Sequence, residues 1–547
     1  MRKKILPLIT AAAMTMSLCA GVVQASEDTG GAGTGSTAVA KVGENEYDKL
    51  ATAVSEAENN AVIVMINDTT EDITIPSGKT VTIDLKGKKL TNVSSHTITN
   101  NGTLTVNDSS EGKTGRVDSV VNEKAAVCNN AGATATLNSG TYKRSSEKGT
   151  SGGANENSYY TVYNQGTMNL NKGVKVENSG THSSCVINGG YANNAVMIID
   201  GAEISGGVIT IKNDEYGSQL TIKSGTFTNS NKSNGSVLQN SATAKIEGGT
   251  FTGARFVIHT TPGRASTSAT TEVNGKTTIT NGTFKTSDAN AACVTCNGLN
   301  KDAYKDDINV SGGTFSKAVA SEFLSSGSMV IKNDEGAYSV VEYNSQYVAK
   351  CAGVYYKSIN DAINAYTGTL KLQQNIDLVG NTKENVVIPK GRIVKIELGG
   401  HTITNISDNT ITNNGKLTVK DSSEGKTGTV DNITHEKAAV HNNVGGTAYL
   451  HGGNYTRSKE ASTSTTDHKG NSWYNIVNHG TMTMEDIKVT SSGSFSSLVE
   501  NGWYYGTQNT TQKPAVLTIE SGEFSGGTNT IKNDDWGELV INGGTFE

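Results

Sequence analysis

The chain has 547 residues and a formal net charge of −6, so it carries no basic excess with which to seek nucleic acid. Its 62 glycines against 5 prolines, set among many Thr, Ser and Asn, suit numerous short strands and tight turns rather than long helices. Beyond the N-terminus no segment holds the ~18 consecutive apolar residues that a membrane-spanning helix needs.

The chain begins "MRKKILPLITAAAMTMSLCAGVVQAS". A basic start, an apolar stretch and the small-x-small run Val23-Gln24-Ala25 read as a signal peptide over residues 1–25, cleaved before Ser26. Lipid attachment at Cys19 is the competing reading, but bulky Leu18 stands where that signal wants a small residue. Residues 26–38 are a Gly/Ser/Thr linker. The mature chain is expected outside the cell, secreted or surface-associated, and keeps Cys128, Cys185, Cys293, Cys296 and Cys351. That odd, sparse set is no disulfide scaffold. Cys293 and Cys296 have metal-site spacing but no second pair, and residues three apart on a strand face opposite sides. Buried free thiols or one local disulfide are expected there.

From Val39 the chain describes one unit twice, over residues 39–347 and 348–547. Each copy opens with a short amphipathic pattern, Leu50, Ala53, Val54, Ala57 and then Ile359, Ala362, Ile363, whose spacing predicts a helix of two or three turns. Period-two alternation follows, plainest in "KTVTIDL" (79–85) and "RIVKIEL" (392–398). The most exact copy is "TITNNGTLTVNDSSEGKTG" (97–115), repeated at 410–428 with two changes. Its Gly-Lys-Thr is not a phosphate loop. The glycine required five positions earlier is Asn107 or Lys420, and "GRVDSVV" afterwards does not read as a helix. The stretch reads instead as strand, corner and strand, with Ile98, Leu104 and Val106 inward, Asn100-Asn101-Gly102 turning, and "DSSEGKTG" outside. The second copy ends level with Phe227 of the first, so a longer protein with a C-terminal wall-attachment region is expected.

Within each copy a smaller repeat ends in "GT" and an aromatic, at Tyr142, Phe227, Phe251, Phe284 and Phe315, and such periods mark stacked supersecondary units. Turn asparagines recur with it: Asn101, Asn130, Asn164, Asn188, Asn213, Asn297 and Asn333, then Asn414, Asn443, Asn478, Asn501 and Asn533. Asparagine suits sharp corners, and stacked amides can bond along a column.

With its entry helix, "DITIPSGKTVTIDLKGKKLT" and the Asn-x-Gly rungs, the chain resembles the right-handed parallel β-helix, the pectin-lyase-like superfold, and within it the adhesin-like exported proteins of Gram-positive, gut-type bacteria. The resemblance implies an all-β solenoid with three parallel sheets, an inward ladder of Ile, Val, Leu and Phe, variable outer loops and a helix capping each of two tandem units.

It specifies shape more than chemistry. Lyases of the superfold use acidic side chains with calcium and a basic residue as proton acceptor. No histidine of one copy lies opposite a histidine of the other, and among arginines only Arg144 and Arg457 correspond, so no catalytic residue is assigned. The acidic pairs Asp214-Glu215 and Asp534-Asp535, with Asp334-Glu335 in a third run, are candidate calcium ligands or solvated turn acids. Loop aromatics are the candidate binding residues: Tyr159, Tyr191 and Tyr216 in the first copy, Trp473, Trp503, Tyr504 and Trp536 in the second. They stack on sugars or a protein partner, or else fold back over the rungs. The reading is an exported β-helix that binds a host or environmental glycan or surface protein. A polysaccharide lyase or glycoside hydrolase, and a plain structural stalk, are the alternatives.

Overall fold

The computed structural model describes residues 37–145, 159–180, 182–190, 194–266, 268–298, 301–365, 374–459, 473–493, 496–503 and 513–547. It is all-β, 49% strand and 5% helix, built of long parallel sheets and consistent with a β-helix-like solenoid. Among the described residues no helix is long and apolar enough to cross a membrane.

Each turn of chain contributes a strand to three faces. On the first, Ala61–Met65, Thr80–Asp84 and Thr103–Asn107 pair in parallel, and the series continues to Ile308–Val310. The second runs from Thr69–Thr70 through Lys89–Thr91 to Thr314–Phe315. The third is a nine-stranded sheet from Ile73–Ile75 to Val294–Cys296. Beyond Leu378 the pattern is rebuilt, with a seven-stranded and a six-stranded sheet as its second and third faces.

Alternation explains the burial. In Thr80–Asp84 only Val81 and Ile83 are buried, and their partners Leu104 and Val106 on the next rung are buried too. The inward residues form two large apolar clusters, one from Ala40 to Val354 and one from Ala349 to Phe524. Between them the hairpin Ser328–Lys332/Tyr338–Glu342 pairs in parallel with Val354–Tyr356, so sheet hydrogen bonds span the joint at Tyr347 to Gly353.

Helix α1 (Leu50–Glu56) buries Leu50, Ala53 and Val54, and α2 (Ile359–Asn364) buries Ile359, Ala362 and Ile363. Both are held at the N-terminus by a carboxylate two residues beyond a Thr of the first rung. Glu71 accepts from the Leu50 and Ala51 amides at 2.9 and 3.0 Å, and Glu384 from those of Ile359 and Asn360 at 2.8 and 3.1 Å.

The asparagine column exists, one residue out of register with expectation at four rungs, those of Asn101, Asn130, Asn414 and Asn443, and its position beside Asn297 is held by Cys296. Asn100, Asn129, Asn164, Asn188, Asn213 and Asn240 are buried, each side-chain amide donating to the next Oδ1 at 2.7–2.8 Å. Asn413, Asn442, Asn478 and Asn501 repeat this, and the amide of Asn501 donates to Asn533, which is exposed. Asn101 and Asn130 form a separate outer contact at 2.7 Å, as do Asn414 and Asn443 at 2.8 Å. Asn333 belongs to the tip of the connecting hairpin, where its Oδ1 accepts from Ala337 N. Period two accounts for the difference: the inward position is the second after the buried apolar residue, as in Ile98-Thr99-Asn100.

The loop 108–115 is scaffold. Asp108 accepts from the Gly87 amide at 2.8 Å, Ser110 Oγ at 2.8 Å and the Gly115 amide at 2.6 Å, while Glu111, Gly112 and Lys113 are exposed. Asp421 does the same for Gly400 and Gly428. Among the described residues the cysteines are free thiols, Cys128, Cys185, Cys293 and Cys296 buried and Cys351 half-buried.

A candidate ligand-binding cleft

Along the third face the middle residue of each triplet points outward: Tyr163, Ile187, Lys212, Gln239 and His259 in successive rungs. A second, external layer covers it. Tyr159 and Tyr160 lie over Tyr163, with ring centroids 6.2 and 5.5 Å away and 5.0 Å from each other, and Cys128 and Ile187 complete a small apolar cluster. Burial pushes the Tyr159 phenol up to about 12 and the neighbouring His96 imidazole down to about 4, so both are neutral near pH 7.

What positions the tyrosines is Arg144. It is 1% exposed and donates to the carbonyls of Lys124, Val121 and Tyr159 at 2.6, 3.2 and 3.5 Å. Arg457 makes the same set in the second copy, to Lys437, Thr434 and Trp473 at 2.9, 2.9 and 3.3 Å. The one arginine present in both copies therefore staples an aromatic loop to the rungs, and burial lowers the Arg144 pKa to about 10.

Facing the tyrosines across a cleft of about 620 Å³ is a polar wall. Tyr216 follows Glu215 in the left-handed conformation, φ 68°, a turn that swings its ring beneath an arm formed by the hairpin Pro262–Arg264/Glu272–Asn274. Arg264 Nη2 donates to Glu215 Oε1 at 2.8 Å and to the Tyr216 hydroxyl at 2.5 Å, Arg264 Nε reaches Glu215 Oε2 at 3.3 Å, and the guanidinium sits 5.2 Å from the ring centre. Those Arg264 hydrogen bonds hold the Glu215 carboxyl down at about 2. Lys212 pairs with Asp214 at 3.1 Å, and Gln239 and Ser241 complete the wall.

The candidate residues thus divide. Tyr159, Asp214, Glu215 and Tyr216 line one cleft, but Tyr216 is only 3% exposed and its ring is taken by Arg264. In the second copy Trp503 is 6% exposed and stacks on His479 at 4.7 Å and 6°, and His441 Nε2 lies 3.2 Å from His479 Nδ1. Trp473 is half-buried against Tyr474, whereas Trp536 is 51% exposed at the same left-handed turn as Tyr216. Tyr191 and Tyr504 lie outside the described residues. Asp534 pairs with Lys532 at 2.7 Å, and the Asp535 carbonyl accepts from Trp503 N at 2.9 Å. Among the described residues no three His, Cys, Asp or Glu side chains gather as metal ligands, and Asp214, Glu215 and Asp534 are occupied by Lys or Arg.

Sequence reasoning missed Tyr160, Tyr163, Lys212, Gln239 and Arg264. The outward middle position of each third-face triplet would have found Tyr163, Lys212 and Gln239. Nothing local announces Arg264, which reaches Glu215 across 49 residues. Compared with known proteins, the chain matches no family model, no curated protein and no solved structure.

Proposed function

We propose that this chain is an exported, surface-associated protein, two tandem units of right-handed β-helix, that binds glycans through the layer outside its third face. The supporting observation is the cleft between Tyr159, Tyr160 and Tyr163 on one side and the Glu215–Arg264 pair on the other. Flat amphipathic rings opposite hydrogen-bonding groups on a rigid sheet are what a sugar needs, apolar faces for its C–H surface and fixed donors and acceptors for its hydroxyls. The scaffold puts these groups on strands and stapled loops, so little ordering entropy is lost on binding.

The test is a glycan array probed with the purified mature protein, followed by titration of any hit against Tyr160→Ala and Arg264→Ala. Each substitution is expected to weaken binding at least ~10-fold, the loss of roughly one stacked ring or charged hydrogen-bond group. Binding untouched by either change would remove the cleft from the account. Release of unsaturated or reducing sugar from the same glycans would replace it with the enzyme reading.

A further inference from the structure

We infer that the cleft takes a neutral glycan, pyranose units with adjacent hydroxyls and no carboxylate or sulfate, because its two cations are already matched to its two carboxylates. This rests on the glycan-binding reading above and narrows it to one substrate class.

Four charged side chains line the cleft, Lys212, Asp214, Glu215 and Arg264, and they sum to zero. They are also coupled in pairs. Arg264 presents two nitrogens to Glu215, at 2.8 and 3.3 Å, and its own backbone amide adds a third bond to the same carboxylate at 3.0 Å. An incoming uronate would have to strip Glu215 from a bidentate partner that is fixed by the Tyr216 hydroxyl as well. Such an exchange yields no net gain and leaves a carboxylate unpaired in a half-buried wall. A neutral sugar meets no such barrier. The remaining lone pairs of Glu215 and Asp214 and the remaining N–H groups of Arg264 and Lys212 are acceptors and donors that sugar hydroxyls, which both donate and accept, can use without breaking either pair. The Tyr159 and Tyr160 rings, both half-buried, offer the apolar side. A volume near 620 Å³ is in the range of small-ligand sites and accommodates roughly one or two rings.

The experiment sets neutral oligosaccharides (glucan, galactan, N-acetylglucosamine oligomers) against acidic ones (polygalacturonate, alginate, sialylated and sulfated glycans), with wild type, Glu215→Gln and Arg264→Gln. Wild type is expected to bind neutral glycans with little response to salt. Glu215→Gln frees Arg264, so neutral binding falls about tenfold and salt-sensitive acidic binding appears; Arg264→Gln loses the neutral binding and gains nothing. Thermal midpoints for both variants within a few degrees of wild type show that the fold is intact. Wild-type preference for acidic glycans overturns the neutral assignment and leaves glycan binding standing, whereas no binding of either class overturns both.

Discussion

A single buried carboxylate illustrates how much one residue organises here. Asp108 is 1% exposed, and burial alone would raise its pKa; hydrogen bonds from Ser110, Gly115 and Gly87 outweigh that and hold it below the ordinary aspartate value. The sign follows. A carboxyl whose folded pKa is depressed adds stability above its unfolded pKa, ~3.9, and that stability disappears as pH falls through the folded value. Asp108→Asn should therefore lower the thermal midpoint at neutral pH and flatten its fall below about pH 4. An unchanged acid slope in the variant would mean that Asp108 is not the group responsible. The asparagine column makes a comparable demand. Removing the Asn188 amide takes the 2.7 Å acceptor from Asn164 Nδ2, which keeps the Val196 carbonyl, and takes the 2.8 Å donor from the buried Asn213 Oδ1. A buried polar group left unpaired costs about 1–3 kcal/mol, so Asn188→Ala should destabilise by about that much in denaturant unfolding, while Asn101→Ala, on the outer file, should cost under about 1 kcal/mol. Equal costs would contradict the inner register.

At the scale of elements, ladder geometry and side-chain chemistry reinforce each other. Strands stack about 4.8 Å apart, so identical residues on one column must meet. Phe227, Phe251, Phe284 and Phe315 do so, with ring centroids 4.7, 4.9 and 4.7 Å apart, and Phe524 meets Phe546 at 5.0 Å. This is why so much of the architecture was legible: "GTF" endings, period-two runs and the two amphipathic entries each report a local rule, and parallel stacking needs nothing else. The asparagine register was legible too, had the count started from Ile98 and Val127 rather than from the glycine turn. The site was legible only in part. Tyr159, Asp214, Glu215 and Tyr216 advertise themselves by residue type, but whether a ring is open or covered depends on what crosses it. Arg264 over Tyr216 and His479 over Trp503 come from other rungs, and no periodicity encodes either pairing.

For the whole molecule, the separate apolar clusters imply that the two halves unfold semi-independently, since within a stack each rung leans mainly on its neighbours. Calorimetry of the purified protein should show two transitions. Phe251→Ala, a cavity worth about 3–5 kcal/mol, should lower only one of them and Tyr455→Ala only the other. A single endotherm shifted by either change would show that the sheet pairing between Val330 and Val354 couples the halves into one cooperative body.

The arm that carries Arg264 has an effect on timing. The rungs leave the ribosome in chain order, yet the wall holding Glu215 is finished only when the hairpin Pro262–Arg264/Glu272–Asn274 returns to it, two rungs later. A nascent chain halted near Asn240 would own the tyrosines and the carboxylates but not their clamp. Glu215 in such a chain would lack the guanidinium that holds its carboxyl down at about 2, so the charge state of this wall is set by the arm and not by the rungs beneath it.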